Sequence, residues 1–123
     1  MSYVQRLVVP VTTDGSGNAT AYSDWATGLI SQIRYVIGTF AAGVDFTITL
    51  ENTGENVWTE LNVNASATRA PRQATHGTDG SPTLYAAGAP AVQDKIAMAN
   101  DRVKIVIAQG GAVTNGTFYI MIV

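Results

Sequence analysis

The most constraining feature of this sequence is an unbroken alternation of apolar and polar residues over positions 44–51. The apolar members, which we expect to face a core, are Val44, Phe46, Ile48 and Leu50. Side chains of a β-strand alternate between its two faces, whereas a helix brings residues three or four apart onto one face. The segment therefore predicts a β-strand with one buried face and one polar face.

The next segments predict that this strand is half of a β-hairpin. Residues 52–55 contain Gly54 and have the length of a short hairpin loop. Residues 56–63 then alternate again. We expect one face of this second strand to point inward, and its members are Val57, Thr59, Leu61 and Val63. The same alternation places Trp58 on the outer face, with Glu60 and Asn62.

Further strands are predicted along most of the chain, at residues 6–13, 19–22, 28–37, 102–108 and 117–123. Pro10 cannot donate a ladder hydrogen bond, so the first strand should lie at a sheet edge or be bulged there. Residues 28–37 also fit one face of a helix, but their β-branched content favours a strand.

Three weaker segments complete the pattern. Residues 67–75 are interpreted as extended, with Pro71 at an edge, and residues 83–86 as a brief pairing. Residues 91–98 suit either a bent strand or one helical turn. Val, Ile and Thr supply 37 of the 123 residues, which favours strands. About eight short strands separated by turns predict an all-β fold, a jelly-roll-like antiparallel β-sandwich forming one domain over residues 1–123.

Composition excludes several classes of function. Charged residues make up 13% of the chain, the net charge is −2, and the seven Lys and Arg are scattered, so we expect no nucleic-acid partner. The chain has no Cys, which excludes disulfides and thiolate metal sites. We see neither a signal peptide nor an apolar stretch of roughly 20 residues, and expect a soluble protein without a membrane partner. Low charge leaves neutral surface for contact with another subunit.

The sequence predicts no catalytic site. His76 is the one histidine, and Asp79 lies near it in the same loop. A catalytic triad also needs a nucleophile beside the base, and no motif places a serine there. Four carboxylates lie around the hairpin, and we expect them to keep its outer face solvated. They are Asp45, Glu51, Glu55 and Glu60. We therefore predict that the protein is not an enzyme and has no catalytic residues.

The loops likewise predict no metal or cofactor site. Residues 14–18 carry oxygen ligands at alternate positions, but Ala19 and Trp25 stand where a calcium loop needs Gly and Glu. Residues 109–116 are rich in glycine but lie between two predicted strands, which favours a hairpin over a phosphate-binding loop.

Two sets of residues remain as candidates for contacts. An outward Trp58 would be covered by a loop, packed on another subunit, or used to stack a sugar. Arg69, Arg72 and His76 lie near Pro71, either as a solvated loop or as a docking contact for an acidic partner surface.

Several segments resemble a family of short virion structural proteins of tailed bacteriophages. They are residues 8–22, 44–51, 57–60, 65–72, 101–111 and 116–118. The resemblance implies a β-sandwich that decorates the capsid as a cement protein, binding the major capsid protein at contacts between capsomers. It also implies assembly in the bacterial cytoplasm, a location on the virion head, and self-association as a dimer or trimer. Residues 26–42 and 77–100 lie outside it.

Two alternatives stay open. One is a component of the phage tail or of the head–tail connector, which shares the virion but not the position. The other is a carbohydrate-binding module that uses Trp58 or Trp25 as a stacking platform.

Overall fold

A computed structural model describes residues 4–123; the first three residues, part of the segment inspected for a signal peptide, lie outside it. Within residues 4–123 the chain forms ten strands, and no helix there is long and apolar enough to cross a bilayer. The strands are β1 (Gln5–Thr12), β2 (Ala19–Tyr22), β3 (Ala26–Val36), β4 (Val44–Leu50), β5 (Asn56–Val63), β6 (Ala67–Arg69), β7 (Arg72–Ala74), β8 (Gln93–Asp101), β9 (Val103–Ala108) and β10 (Asn115–Ile122).

The strands form two antiparallel sheets. The first has the order β1-β10-β3-β8-β7, with β6 paired to the far half of β3, and the second has the order β2-β9-β4-β5. The prediction of an all-β antiparallel sandwich is confirmed. Ten strands replace the expected eight or so, partly because the predicted extended segment 67–75 divides at Pro71 into β6 and β7.

The individual strand predictions hold, with small shifts of their ends. β1 pairs with β10 alone, so Pro10 does lie on an edge strand. Residues 28–37 fall largely in β3, and residues 93–98 belong to β8, so the helical alternatives for both segments are wrong. The brief pairing expected at 83–86 is an isolated bridge between Leu84 and Ala91.

An aromatic cluster joins the two sheets at the centre of the core. Phe46 of β4 lies 5.0 Å from Tyr35 of β3 and 5.3 Å from Phe118 of β10, measured between ring centroids. Trp58 also contacts Phe46, at 4.7 Å between centroids. Edge-to-face and tilted contacts of this kind add to the free energy of burying the rings. The cluster therefore fixes how the sheets pack on each other.

The predicted outward position of Trp58 is wrong. Trp58 is only 7% exposed and belongs to the core, whereas Leu61, predicted to face inward, is 68% exposed. The β4–β5 pairing shifts register twice, so β5 carries extra residues opposite β4. One shift turns both Val57 and Trp58 inward, and the other turns Leu61 out beside Asn62, whose φ is 56°. Such β-bulges break the two-residue period on which the prediction rested.

The two predicted turns at 14–18 and 109–116 pack against each other at one end of the sandwich. The Asp14 carboxylate accepts hydrogen bonds from the backbone N–H groups of Ser16 and Asn18, at 2.8 and 3.0 Å. These bonds hold the pKa of Asp14 below its usual value, with Asn18 the larger cause. The Gly110 N–H donates to the Gly17 carbonyl across the two turns. The two loops at this end of the sandwich are therefore hydrogen-bonded to each other.

Candidate functional site

The structure separates His76 from catalytic partners. His76 is exposed, in the excursion between β7 and β8, and none of the hydrogen bonds among residues 4–123 involves its side chain. The Asp79 carboxylate accepts from the N–H and the hydroxyl of Ser81. These bonds hold the pKa of Asp79 below its usual value, the backbone bond first. Asp79 thus serves its own turn and does not orient an imidazole.

The hairpin carboxylates have separate local partners. Asp45 accepts a 2.8 Å hydrogen bond from the Asn62 N–H and so holds the bulge of β5. Glu51 pairs with Arg102, and Glu60 pairs with Arg69. Glycosidase chemistry needs two carboxylates facing one sugar across a cleft. Three of the four candidates are instead engaged with different neighbours.

No cluster of three or more His, Asp or Glu side chains that could hold a metal occurs in the part of the chain that the structure describes. Among the side-chain oxygens of residues 14–18 that suggested a calcium loop, Asp14 Oδ1 accepts from the N–H groups of Ser16 and Asn18 within the turn. The Asp14 carbonyl accepts from the N–H groups of Gly17 and Val113.

Arg69 and Arg72, considered with His76 as a docking contact, bond to different parts of the fold. The Arg69 guanidinium donates to both oxygens of Glu60, each at 3.1 Å, and lies over the Trp58 ring at 5.7 Å. Arg72 donates to two backbone carbonyls, those of Ser31 and Pro71. Arg69 is thus paired with a carboxylate and Arg72 with backbone carbonyls, and a docking contact for an acidic surface at this place stays a prediction.

The open edge of the sandwich is closed by the Glu60–Arg69 pair. β5 is the edge of the second sheet, and β6 lies on the first sheet, so this pair spans both. Glu60 also accepts from the Trp58 indole N–H at 2.9 Å. Arg69 first and Trp58 second lower the pKa of Glu60. A groove of about 340 Å³ runs beside this pair, but the Trp58 ring is covered by Phe46 and Arg69. Trp58 cannot stack a sugar there.

A second region of interest is the end of the sandwich where the chain crosses twice between the sheets. Arg102 alone connects β8 in the first sheet with β9 in the second. Residues 23–25 make the opposite crossing from β2 to β3. Ser23 and Val103 join the two crossings, because the Ser23 N–H donates to the Val103 carbonyl and the Val103 N–H donates to the Ser23 hydroxyl, both at 2.9 Å.

Asp101 fixes the bend from inside. It is only 1% exposed, and its Oδ1 atom accepts from the N–H groups of Asn52 and Arg102, at 3.0 and 2.8 Å. The Arg102 carbonyl in turn accepts from the Glu51 N–H. These bonds tie the 51–55 loop to the β8–β9 bend, so the direction in which Arg102 leaves the backbone is set.

The side chains at this bend form a group that we call the corner cluster: Tyr22, Trp25, Glu51 and Arg102. The Arg102 guanidinium lies 4.1 Å from the Tyr22 ring centroid and 5.0 Å from that of Trp25. It donates to both oxygens of Glu51. This ion pair lowers the pKa of Glu51 and raises that of Arg102. The Trp25 ring nevertheless remains 50% exposed.

The sequence singled out Trp25 but not its partners. Tyr22 and Arg102 are separated by 80 positions, and Glu51 belongs to a strand pattern of its own. The one local signal is the junction at 101–102, where two strands adjoin without a glycine or proline. Such a junction indicates a bend of the chain between sheets rather than a turn, but it does not say what surrounds it.

A long excursion over residues 75–92 leaves the fold between β7 and β8. Backbone hydrogen bonds hold it in a narrow loop, including those from Thr83 to Thr75 and from Val92 to Thr83. Tyr85 and Leu84 lie exposed near its far end. The excursion presents little charge, so it is a second neutral surface available for contact.

The fold and these surfaces define an all-β sandwich protein that carries the partly exposed corner cluster at one end. Comparison with protein-family models, with curated proteins and with solved structures gives no match to this chain.

Proposed function

We propose that this chain is a capsid decoration (cement) protein of a tailed bacteriophage, binding the outer head surface and stabilising contacts between major capsid protein subunits. The observation that carries the proposal is the strand order. With the short strands β6 and β7 set aside, the first sheet contains the first, eighth, third and sixth strands, and the second contains the second, seventh, fourth and fifth. This order supports a double-sheet jelly roll, an arrangement found in viral capsid and lectin domains.

The surface chemistry supports a role in contact rather than catalysis. Large apolar side chains are exposed on the sheet face at Val8, at the corner at Trp25 and on the 75–92 excursion at Tyr85. Apolar area removed from water stabilises a contact by about 25 cal/mol per Å². A modest contact of this kind, repeated over a symmetric shell, would add up to a large resistance to expansion.

Heads produced with and without this chain test the proposal. We expect heads that lack it to release their DNA at lower temperature, and added purified protein to restore the tolerance. Heads treated with buffer alone are the control. Unchanged heat tolerance would contradict the cement role. Fractionation of particles into heads and tails distinguishes the alternative position, since a tail or connector component would be found in the tail fraction.

The exposed Trp25 ring is the observation that favours a second candidate, a carbohydrate-binding module. Trp58, the other aromatic residue considered for that function, is buried in the core. A glycan array probed with the whole chain tests this candidate, and Trp25→Ala is the variant that should abolish any signal. Binding that persists in the variant would remove Trp25 as the platform.

A further inference from the structure

The corner cluster holds its exposed aromatic rings in place before any partner arrives. Arg102 contacts both rings, and Glu51 fixes Arg102 through two hydrogen bonds. The backbone beneath is fixed by the buried Asp101 and by the Ser23–Val103 bonds. Ordering side chains costs free energy on association, and a pre-ordered group avoids much of that cost. The cluster thus has the pre-ordered side chains that favour binding to a partner.

The residue types indicate a protein partner. Tyr, Trp and Arg are the side chains most enriched among those that dominate the energy of protein–protein interfaces. Here Arg102 contacts the rings of both Tyr22 and Trp25 at the surface.

Two carboxylates at the corner are not free to bind a sugar. Both Glu51 oxygens accept from Arg102, and Asp101 is buried, with two backbone N–H groups donating to its Oδ1 atom. A sugar is recognised through free donors and acceptors beside the stacking ring, and these two carboxylates do not supply them. Since the Glu51–Arg102 pair is also neutral as a unit, the surface suits an apolar pocket of low charge.

The exposed carboxylate of Asp24, next to Trp25 in the chain, adds one feature to the partner. A basic group at the rim of the apolar pocket would complement it. A second copy of this chain fits this description poorly. Its groove of about 540 Å³ beside β5 is lined mainly by polar side chains such as Arg34 and Glu60, and its more apolar groove beside Val106 and Ile107 is bordered by the acidic Asp14.

We propose that the corner cluster is the anchoring contact of this chain on a different protein, one that presents a neutral apolar pocket with a basic rim. The inference rests on the proposed function, in which that protein is the major capsid protein. Trp25 enters the pocket, Tyr22 extends the apolar contact, and Arg102 keeps both rings oriented. Arg102 is a positioning residue, because it acts through the rings.

Binding of the whole chain to purified heads assembled without it tests the inference. We expect Trp25→Ala to weaken binding at least tenfold, and Arg102→Lys, which keeps the charge but loses the planar group, to weaken it less. The matched controls are Val113→Ala and Leu61→Ala, exposed residues in the turn between β9 and β10 and on β5. Both should bind within about twofold of the unmodified chain. Circular dichroism and thermal unfolding establish that each variant is folded.

The outcomes separate this inference from the function on which it rests. If the unmodified chain does not bind heads, the proposed function fails. If it binds, and folded Trp25→Ala binds equally well, the corner cluster is not the anchor, although the cement role stands. Self-association that is lost in Trp25→Ala would make a second copy the partner and overturn the assignment to a capsid subunit. A saccharide that binds at Trp25 on a glycan array would also overturn it.

Discussion

The rings of Phe46 and Trp58 meet edge to face, with centroids 4.7 Å apart and planes at 88°. Both rings reach the core from neighbouring strands of the second sheet, and the Trp58 indole N–H donates to Glu60 at 2.9 Å. Trp58 therefore has a structural role in the core, although it lies on an edge strand. Trp25, half exposed at the corner, has the same side chain in the opposite environment.

Replacement of the two tryptophans should separate stability from binding. Trp58→Ala removes a buried ring and leaves a cavity, so we expect a loss of about 3–5 kcal/mol in the free energy of unfolding. Trp25→Ala, at the exposed corner, should cost far less, of the order of 0.5 kcal/mol. Urea denaturation of both variants checks this. Equal losses would contradict the assignment of Trp58 to the core.

Tyr35 carries a buried hydroxyl that finds no hydrogen-bond partner among residues 4–123. Burial raises the pKa of Tyr35 to about 12. Tyr35→Phe keeps the ring contacts with Phe46 and Phe118 and removes an unsatisfied polar group. We expect the free energy of unfolding to rise by about 1 kcal/mol. A clear loss of stability in chemical denaturation would show that the hydroxyl is bonded after all.

Tyr35 also predicts the response to alkali. An acid whose pKa is raised in the folded state binds its proton more tightly there than in the unfolded chain. This difference in pKa contributes to the free energy of unfolding. The contribution is fully present below pH 10 and is lost as the pH rises from 10 toward 12. In Tyr35→Phe this part of the decline should be absent. Unfolding curves measured between pH 9 and roughly 11.5 test it, and identical profiles for the two proteins would refute it.

Gly116 shows how closely Phe40 packs on β10. A methyl group at Gly116 would overlap the Phe40 ring. Gly116→Ala should therefore displace the ring and cost about 1–3 kcal/mol. Gly15→Ala is the matched control, because nothing lies within 4 Å of a methyl group there. The two thermal unfolding midpoints should differ by several degrees, and coincident midpoints would show that Phe40 moves aside freely.

The Glu60–Arg69 pair should make stability fall in acid. Arg69 and Trp58 lower the pKa of Glu60 below the ordinary 4.5, so the unfolded chain takes up a proton at a higher pH than the folded one. The stabilisation is present above pH 4.5 and disappears as the pH falls through the lowered pKa. The pair is partly exposed, so the amount should be below about 1 kcal/mol.

Glu60→Gln tests this acid response. The difference in unfolding free energy between Glu60→Gln and the unmodified chain should be largest near neutral pH and should shrink as the pH falls below 4.5. A difference that stays constant down to roughly pH 3 would show that the carboxylate charge contributes nothing.

The fold follows from the sequence wherever the two-residue period is intact. β4 is the clearest case, since every apolar residue from Val44 to Leu50 is buried as the alternation requires. β5 could not be predicted in the same way. Its bulges depend on how it pairs with β4, and the positive φ of Asn62 is no part of a hydrophobic pattern.

The candidate site was even harder to predict from the sequence. Trp25 stands out as an aromatic residue in a polar stretch, but its contact with Arg102 joins positions 77 apart in the chain. Only the packing of two crossings between sheets brings them together. Arg69 and Arg72 illustrate the converse, because their nearness in the sequence suggested a shared basic surface, whereas each bonds to a different part of the fold.

A density map of the assembled particle tests the central claim most directly, since it shows where this polypeptide lies and what it touches. We predict a ten-strand sandwich on the outside of the head, at junctions between capsid subunits, with the Trp25 corner seated against one of them. Density in the tail or connector, or a particle that contains no copy of the chain, would contradict it.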